Sequence, residues 1–412
     1  MPTVAGQLLA LNVGSSSVKF AVFDASSGEP QPRAVGHLEA LGVRPRLEVR
    51  GHDGKLLIEH EWRDGDAPAD PLAALDTSFD WLAGRFPDLQ PQAIGHRVVM
   101  GGAEFVAPVV LDDAVLARLQ ALSPLAPLHQ PACLAGIRAA RRLFPQVPQV
   151  ACLDTAFHRR QPFVNDTFAL PRRFYDEGVR RYGFHGLSYE YVSGRLAQIA
   201  PHHAHARTII AHLGSGASMC AMRDGRSVAS TMGFSALDGL PMGTRCGQID
   251  PGVLLWMMEA RGMDAGQISQ VLYRESGLKG LSGTSSDMRD LEGSDAPQAR
   301  QAIDYFVFRA RREIGGMAAA LGGVDAIVFT GGIGEHSVRI RRSILEGMEW
   351  IGVELDPDAN ARSGRTAQRG DPFADGLISS RRSRVQVWVI PTDEETTIAR
   401  HTLQALGVAG PG

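Results

Sequence analysis

Gly14, Ser15 and Ser17 fall between two largely apolar runs, Leu8 to Val13 and Val18 to Asp24, which carry Asn12 and Lys19 near the facing ends. Small polar residues at such a turn let backbone N–H groups and hydroxyls converge on one spot with nothing bulky in the way, which suits an anion, phosphate above all. Lys19 adds a mobile positive charge, and the Asn12 amide can hold a metal-bound water or a phosphoryl oxygen. Alone, the stretch also reads as an ordinary serine-rich hairpin. What shifts the balance is its return at Ile209 to Ser218, with His212 opposite Asn12, Gly214 opposite Gly14, Ser215 opposite Ser15 and Asp224 opposite Asp24. Similarity at that separation points to a duplicated domain, each copy offering a small-residue turn to a shared cleft.

Other chemically capable residues are scattered along the chain. Arg97 sits among Ile94, Val98 and Val99, where an unpaired charge is expensive to bury, so it either faces solvent or meets an anion at the strand's end. His129 lies just before Pro131 and a positive helix end, a place for an anion or for loop packing. Asp154 ends the apolar run Gln149 to Leu153, the usual station of working residues in α/β sheets, and could equally serve as an N-cap for the next segment. His185, exposed among the glycines of Arg180 to Gly186, can donate to a phosphoryl oxygen or serve as a satisfied structural histidine.

Two charge-poor or serine-rich stretches are long enough to serve a site. They are Thr231 to Asp250, carrying Asp238, Arg245 and Asp250, and Gly280 to Asp290, carrying Asp287, Met288 and Arg289. Gly331 to Glu335 separates a strand from a helix capped by Ser337, a nucleotide-cradling arrangement that matches neither the Walker nor the dinucleotide spacing. Thr392 and Glu395 have capping-box spacing, which leaves Glu394 as the better metal candidate. His202, His203 and His205 lie in a Pro-Ala-rich connection and read as solvated.

The elements that must position these groups follow from periodicity and punctuation. Arg44 to Glu61 reads as a strand pair around Gly51 and Gly54, Asp70 to Phe86 as a helix, Ala93 to Met100 as a strand, and Pro131 to Phe144 as a helix. Ser188 is expected to cap the next helix. Ala299 to Leu321 is a long helix with Ile303, Phe306, Ala310, Ile314, Met317 and Leu321 as its buried stripe. Ala326 to Thr330 and Val385 to Ile390 are strands, the second stopped by Pro391.

A chain of 412 residues with 44% apolar content can fill two domains of about 200 residues each. A formal net charge of -3 gives no electrostatic case for nucleic acid or an anionic membrane. Cys133, Cys152, Cys220 and Cys246 show no paired or metal-type spacing and read as reduced thiols of a cytoplasmic protein. The first apolar run has no basic flank and is cut by the glycine-serine turn, so neither a signal peptide nor a membrane span is expected.

Taken in order, Asn12 to Ser17 with Lys19, Gly95 to Val99, Asp154 to His158, Arg181 to Gly186, His212 to Gly214, Met242 to Arg245, and Pro391 to Glu395 closely resemble the acetate kinase family. The resemblance implies an α/β fold of the actin, Hsp70 and sugar-kinase type, ribonuclease H-like: two duplicated βββαβαβα domains with an interdomain cleft. The expected division is residues 1–156 plus 392–412 as the N-terminal lobe and 157–391 as the C-terminal, nucleotide-binding lobe. The implied reaction is reversible transfer of the ATP γ-phosphoryl group to acetate, giving acetyl phosphate and ADP.

Asn12 and Glu394 would hold Mg²⁺, or Mn²⁺ in its place. Asp154, His185 and Arg245 would be catalytic, and Arg97 would bind the carboxylate. Val99, Leu128, His129, Phe184 and Ala236 would surround the acyl tail. Ser15, Ser17, Lys19, His212, Leu213, Gly214, Ser215, Gly216, Asp287, Met288, Arg289, Gly332, Ile333, Gly334, Glu335 and His336 would line ATP. A homodimer is the usual assembly.

This sequence departs from the family pattern at Met100, Ser215, Gln248 and His336, and Ala236 stands where proline is often found. The smaller Ala236 opens the alternative of a propionate or other short-chain acyl kinase. A sugar kinase of the same superfamily, or a non-catalytic ATPase module, is a further alternative. A carboxylate is already ionised near neutral pH and needs no strong base, which fits a site built on arginines better than one built to deprotonate a hydroxyl.

Overall fold

The computed structural model describes residues 6–14, 17–39, 46–62, 73, 90–363 and 376–408. The chain divides into two units. The first comprises Met1–Arg159, Gly186–Tyr191 and Asp393–Gly412, and the second Arg160–His185 and Val192–Thr392.

In the first unit β1 (Gln7–Val13), β2 (Val18–Asp24) and β3 (Gln31–Glu39) form an antiparallel meander extended by β4 (Arg46–Gly51) and β5 (Leu56–Glu61). On its other side β1 pairs in parallel with β6 (Pro91–Val98), β6 pairs in parallel with β8 (Gln149–Leu153), and the short β7 (Val109–Val110) closes the edge. The second unit repeats the plan. β9 (Thr208–Leu213), β10 (Ala217–Arg223) and β11 (Arg226–Ser230) form the meander. β9 then runs parallel to β12 (Ala326–Thr330), β12 to β14 (Gln386–Val389), and β13 (Gly376–Leu377) forms the edge. Strand orders 3-2-1-6-8 and 11-10-9-12-14 are therefore the same fold drawn twice. The duplicated α/β architecture expected from the paired turns is present.

The two copies differ at the turn itself. Val13 faces Val18 in the first hairpin, so residues 14–17 make the turn, closed by Gly14 N–H donating to the Ser17 carbonyl at 2.8 Å. Leu213 faces Ala217 in the second, leaving 214–216, closed by Gly214 N–H to the Gly216 carbonyl at 3.1 Å.

Strand β1 reads as an unbroken apolar run because both of its faces are covered. Leu9, Leu11 and Val13 join Phe20, Ile94, Ala139 and Ala140 in one core, against the helix Gln130–Leu143. Leu8 and Ala10 join Phe23, Ala93, Val150, Cys152, Ile398, Ala399 and Leu403 in the other, against the helix Glu394–Ala405. Gly95 permits that second packing: a methyl group there would collide with Thr402 Oγ1 and lie 2.6 Å from an Ile398 methyl carbon.

Several expected elements are shifted or re-read. The strand placed at Ala93 to Met100 spans Pro91–Val98, and Gln149 to Leu153 and Ala326 to Thr330 fall where expected. The long helix is Pro297–Leu321, its six expected core residues all buried. Thr231 to Asp250 is irregular throughout, but the Gly280 to Asp290 loop shrinks to 283–287 between helices Gly277–Ser282 and Met288–Glu292. Gly331 to Glu335 is not an open turn but part of the short helix Gly331–His336.

Ser188 does not cap: it lies within the helix Gly186–Ile199, whose N-cap is His185 in the left-handed region at φ 59°. Ser337 does cap, accepting from the Ile340 N–H. The solvated histidine cluster is half a correction. His203 is buried against Gln386 at 2.7 Å, while His205 stays exposed beside Asp224. The helix expected over Asp70 to Phe86 lies outside the described residues except for Ala73, which is helical. Among the described residues no helix is long and apolar enough to cross a membrane.

Candidate active site

Side-chain parity delivers the first group of polar residues. Asn12 continues the face of Leu8 and Ala10, Asp154 continues that of Val150 and Cys152, and Arg97 that of Ala93 and Gly95. Three neighbouring parallel strands thus end with polar side chains on the face covered by the helix Glu394–Ala405, whose first residue is Glu394. Arg97 donates from Nε and Nη2 to Asp154 Oδ2 at 3.1 and 2.7 Å, and from Nη1 to Asn12 Oδ1 at 3.2 Å. Asn12 Nδ2 donates to Glu394 Oε2 at 3.2 Å, and that oxygen lies 4.0 Å from Arg97 Nε. Arg97 therefore has an anionic partner, and Asp154 pairs with it rather than capping a helix, the next N-cap being Thr155.

The charges in this group tune one another. Burial raises the Asp154 carboxyl and the nearby Glu394 carboxylate raises it further, while Arg97 pulls it down; the balance is about 6. Burial works against the Arg97 charge, but Asp154 and Glu394 outweigh it and hold the guanidinium firmly protonated. Asp154 Oδ1 is buried with no hydrogen-bond partner among the described residues. A lone pair left unmet in a buried site invites a ligand.

The capping box expected from Thr392 and Glu395 does not form. Asp393 is the N-cap, accepting from Thr396 N–H at 3.0 Å, and Glu395 is buried. Thr392 stands one residue too early, its N–H donating instead to Glu335 Oε1 at 3.1 Å. The displaced boundary still leaves Glu394 at the first helical position, reaching Asn12.

Val99 is buried beside this group, and Leu128 and His129 are partly exposed. Gln130, which sequence reasoning passed over, ties the two segments together. Its side chain accepts from Met100 N–H at 3.1 Å and donates to the Met100 carbonyl at 3.0 Å. Thr155 Oγ1 likewise accepts from Gly101 N–H at 3.0 Å. Ser15 lies outside the described residues, while Ser17 and the exposed Lys19 flank the first turn.

A second group assembles in the second unit. The His185 and His212 rings stack with centroids 4.3 Å apart, and His185 Nδ1 lies 2.8 Å from Ser218 Oγ. Ser218 faces His212 across the β9–β10 hairpin, a signal that strand register alone would have supplied. A methyl group on Gly216 would sit 3.1 Å from Arg245 Nη2 and 3.4 Å from His185 Nε2, so the turn, the arginine and the histidine share one small space. Arg245 Nη1 donates to the Ala236 carbonyl at 2.7 Å, and Arg181, paired with Asp238 at 2.9 Å, steadies the same loop.

Gly243 N–H donates to the Ser215 carbonyl at 3.1 Å. Gly331 takes φ 77° with a methyl excluded by the Leu213 carbonyl at 2.8 Å, whereas a methyl on Gly332 would meet open space. Leu213 and Gly334 are buried, and Gly214, Ile333 and Glu335 are half-buried. Ser215, Gly332 and His336 are exposed. Phe184 and Ala236 are buried in this unit.

Two expected ligand residues have local work. Asp287 caps its helix through Arg289 N–H and pairs with the Arg289 side chain at 2.6 Å, whose hydrogen bond holds the carboxyl below its usual range; Met288 is buried. Glu335 Oε1 accepts from the Gly331 N–H at 2.8 Å. The departure at Gln248 also has partners: its Oε1 accepts from Arg309 at 2.9 Å and from Arg312.

A family model described as the acetokinase family matches residues 7–400. An acetate kinase of Methylocella silvestris is 58% identical over 408 residues, covering 97% of this chain and 98% of its own. Among solved structures, an acetate kinase of Porphyromonas gingivalis matches with TM-score 0.82 at 36% identity, over 98% of this chain and 100% of that one. A propionate kinase of Francisella tularensis matches with TM-score 0.85 at 34% identity, over 97% and 99%. Kinship that runs nearly end to end at more than half identity leaves one reading of descent, and the chain belongs to the acetokinase family.

Proposed function

We propose that this protein is an acetate kinase, moving the γ-phosphoryl group of ATP to acetate and back. The observation that carries the reading is Arg97, held at the strand ends between Asp154 and Asn12 with three of its five N–H groups engaged. Among the described residues one N–H on each terminal nitrogen remains for a substrate carboxylate, which a planar guanidinium grips in fork geometry. Acetate arrives ionised, so the site has no hydroxyl to deprotonate. Its task is to bring two anions together, and Arg97, Arg245 and His185 supply the opposing charge and hydrogen bonds. Asp154 orients Arg97 and holds its own unmet oxygen toward the reaction.

The residues fit a magnesium ion. Asn12, Glu394 and Asp154 offer only hard oxygen donors, and Asp154 Oδ1 is the orphaned one. Once bound, Mg²⁺ would neutralise phosphate charge. In this reading Arg97 of the first unit binds the acetate carboxylate. The second unit binds the nucleotide through His212 to Gly216, Asp287 to Arg289 and Gly332 to His336.

Propionate is the second reading, favoured by the small buried Ala236 and by the likeness to a propionate kinase. A hydroxamate assay with purified protein, MgATP and acetate, propionate and butyrate tests both. Turnover greatest with acetate supports the leading reading, a higher rate with propionate favours the second, and no acyl phosphate with any acid overturns both.

A cytoplasmic homodimer completes the proposal. Its support is the helix Pro251–Arg261, which has no buried side chain although Val253, Leu255, Trp256 and Met258 are apolar and exposed. Sedimentation as a monomer at micromolar concentration would count against it.

A further inference from the structure

Arg341 lies in the helix Val338–Leu345 and is completely buried, the largest fully buried side chain among the described residues. Guanidinium has five N–H donors, and all five directions are used. Nε donates to Asn360 Oδ1 at 2.8 Å. Nη1 donates to the carbonyls of Gly334 at 2.9 Å and Glu335 at 2.8 Å. Nη2 donates to the carbonyls of Asn360 at 3.0 Å and Ser363 at 3.1 Å.

Every acceptor is neutral, and among the described residues no carboxylate balances the charge. Two of the acceptors belong to the end of the glycine-rich segment Gly331–His336, and two more to the end of the helix Pro357–Arg362. A cation among the last carbonyls of helices is favourably placed, because those oxygens have no partner within their own helix. Burial with no anion nearby lowers this guanidinium to about 10, so it remains charged at neutral pH.

Sequence inspection gives the residue no role, and it touches no position expected to meet substrate except through main-chain oxygens. A hydrophobic side chain would fill the same volume without desolvating a charge, but it would leave those five acceptors unmet, so what the arginine adds beyond packing is to hold them in place.

We propose that Arg341 is a positioning residue for the nucleotide, clamping the glycine-rich segment from behind so that its open side at Gly332 keeps a fixed place beside the Gly214–Gly216 turn. A methyl group on Gly214 would sit 3.8 Å from Gly332 N, so a small displacement of one segment alters the space both border. The inference rests on the reading of Gly332 to His336 as part of the ATP site. It assigns Arg341 an effect on nucleotide affinity that is separable from acetate binding, since its partners Asn360, Gly334, Glu335 and Ser363 include neither Arg97 nor any residue expected at the acyl tail.

The test compares Arg341→Lys, which keeps the charge but loses the fork, with Arg341→Gln and Asn360→Ala in the full-length protein. ATP binding is read by calorimetry, alongside the KM values for ATP and acetate. The expected result is at least about a fivefold weakening for ATP in all three, with the acetate KM within about twofold, and partial recovery in Arg341→Lys relative to Arg341→Gln. Unchanged ATP affinity in folded variants overturns the inference, as does a parallel rise of both KM values. If the Arg341 variants do not fold, Asn360→Ala decides.

Gly332→Val separates nucleotide contact from positioning, because it fills open space without straining the backbone. If it weakens ATP while the Arg341 variants do not, only the positioning role fails. If it leaves ATP binding intact, the nucleotide reading fails and takes this inference with it.

Discussion

Arg97 carries two duties under the proposed function, and substitution separates them. It would offer donors to a carboxylate, and it neutralises Asp154, 2.7 Å away. Arg97→Ala is expected to raise the acetate KM about ten- to a hundredfold, the loss of about 1.4–2.7 kcal/mol of ground-state binding at about 1.4 kcal/mol per decade. It should also lift the Asp154 carboxyl further. Steady-state kinetics with acetate varied checks this, and an unchanged KM would remove Arg97 from the carboxylate site.

Arg245 differs because the proposed function sets it at the moving phosphoryl group. Arg245→Ala should lower kcat by about 10³ or more with a smaller effect on either KM, read in the same assay. Asp154 supplies the pH signature. Its carboxyl is raised to about 6, so it is protonated below that value, and kcat/KM should fall as pH drops through about 6. The limb belongs to Asp154 and Glu394 together. A pH–rate profile of Asp154→Asn should show a low plateau without it.

Elements, more than individual side chains, hold these groups in register, and the helix Glu394–Ala405 is the main one. Its Thr397 hydroxyl donates to the Leu187 carbonyl at 3.2 Å, and His401 Nε2 lies 2.8 Å from Glu190 Oε1, so it is fastened to residues 186–191 at two levels. Burial opposes charge on His401, but Cys152 and Glu190 outweigh it and raise the imidazole to about 10. A group whose folded value lies above its unfolded one stabilises fully below the unfolded value, near 6.5, and loses that contribution as pH rises through about 10.

His401→Gln should therefore cost about 1–2 kcal/mol near pH 6.5, discounted because Glu190 is half-exposed. That is a Tm drop of about 3–6 °C. The variant should also flatten the alkaline decline between about pH 7 and 10, which melting curves across pH would reveal.

How much of this is legible in the sequence depends on the kind of partner a residue has. Asn12, Arg97 and Asp154 stand out because each interrupts or ends an apolar strand, where a polar group needs a reason. Arg341 does not. An arginine in a short helix reads as solvated, and its acceptors are backbone oxygens of segments whose approach no local pattern encodes. Ser188 misled because serine suits an N-cap, whereas the helix starts two residues earlier, at a boundary set by His185 in the left-handed region, which histidine visits more readily than most residues but which no local pattern marks.

At the scale of the whole molecule the duplication is the feature most directly written in the chain. The same polar-glycine-serine ending recurs on β1 and β9, and the same strand order surrounds each. The hairpins have nonetheless diverged by one residue in turn length, so one copy cannot be assumed to do what the other does. In the first, Asn12 meets two charged side chains; in the second, His212 stacks on another histidine.

The two-sided burial of β1 makes its frame unforgiving in an unusual way. Leucines and alanines occupy both faces, so inserting one residue after Leu9 would exchange one set of aliphatic groups for another with modest loss. Asn12, however, would rotate away from Arg97 and Glu394 and strand its amide among hydrocarbon. Two inserted residues would restore the orientation but push it about 6.6 Å along the strand. Neither protein should turn over substrate, and melting should separate them, the odd insertion being the less stable for want of a single hydrogen-bonding partner.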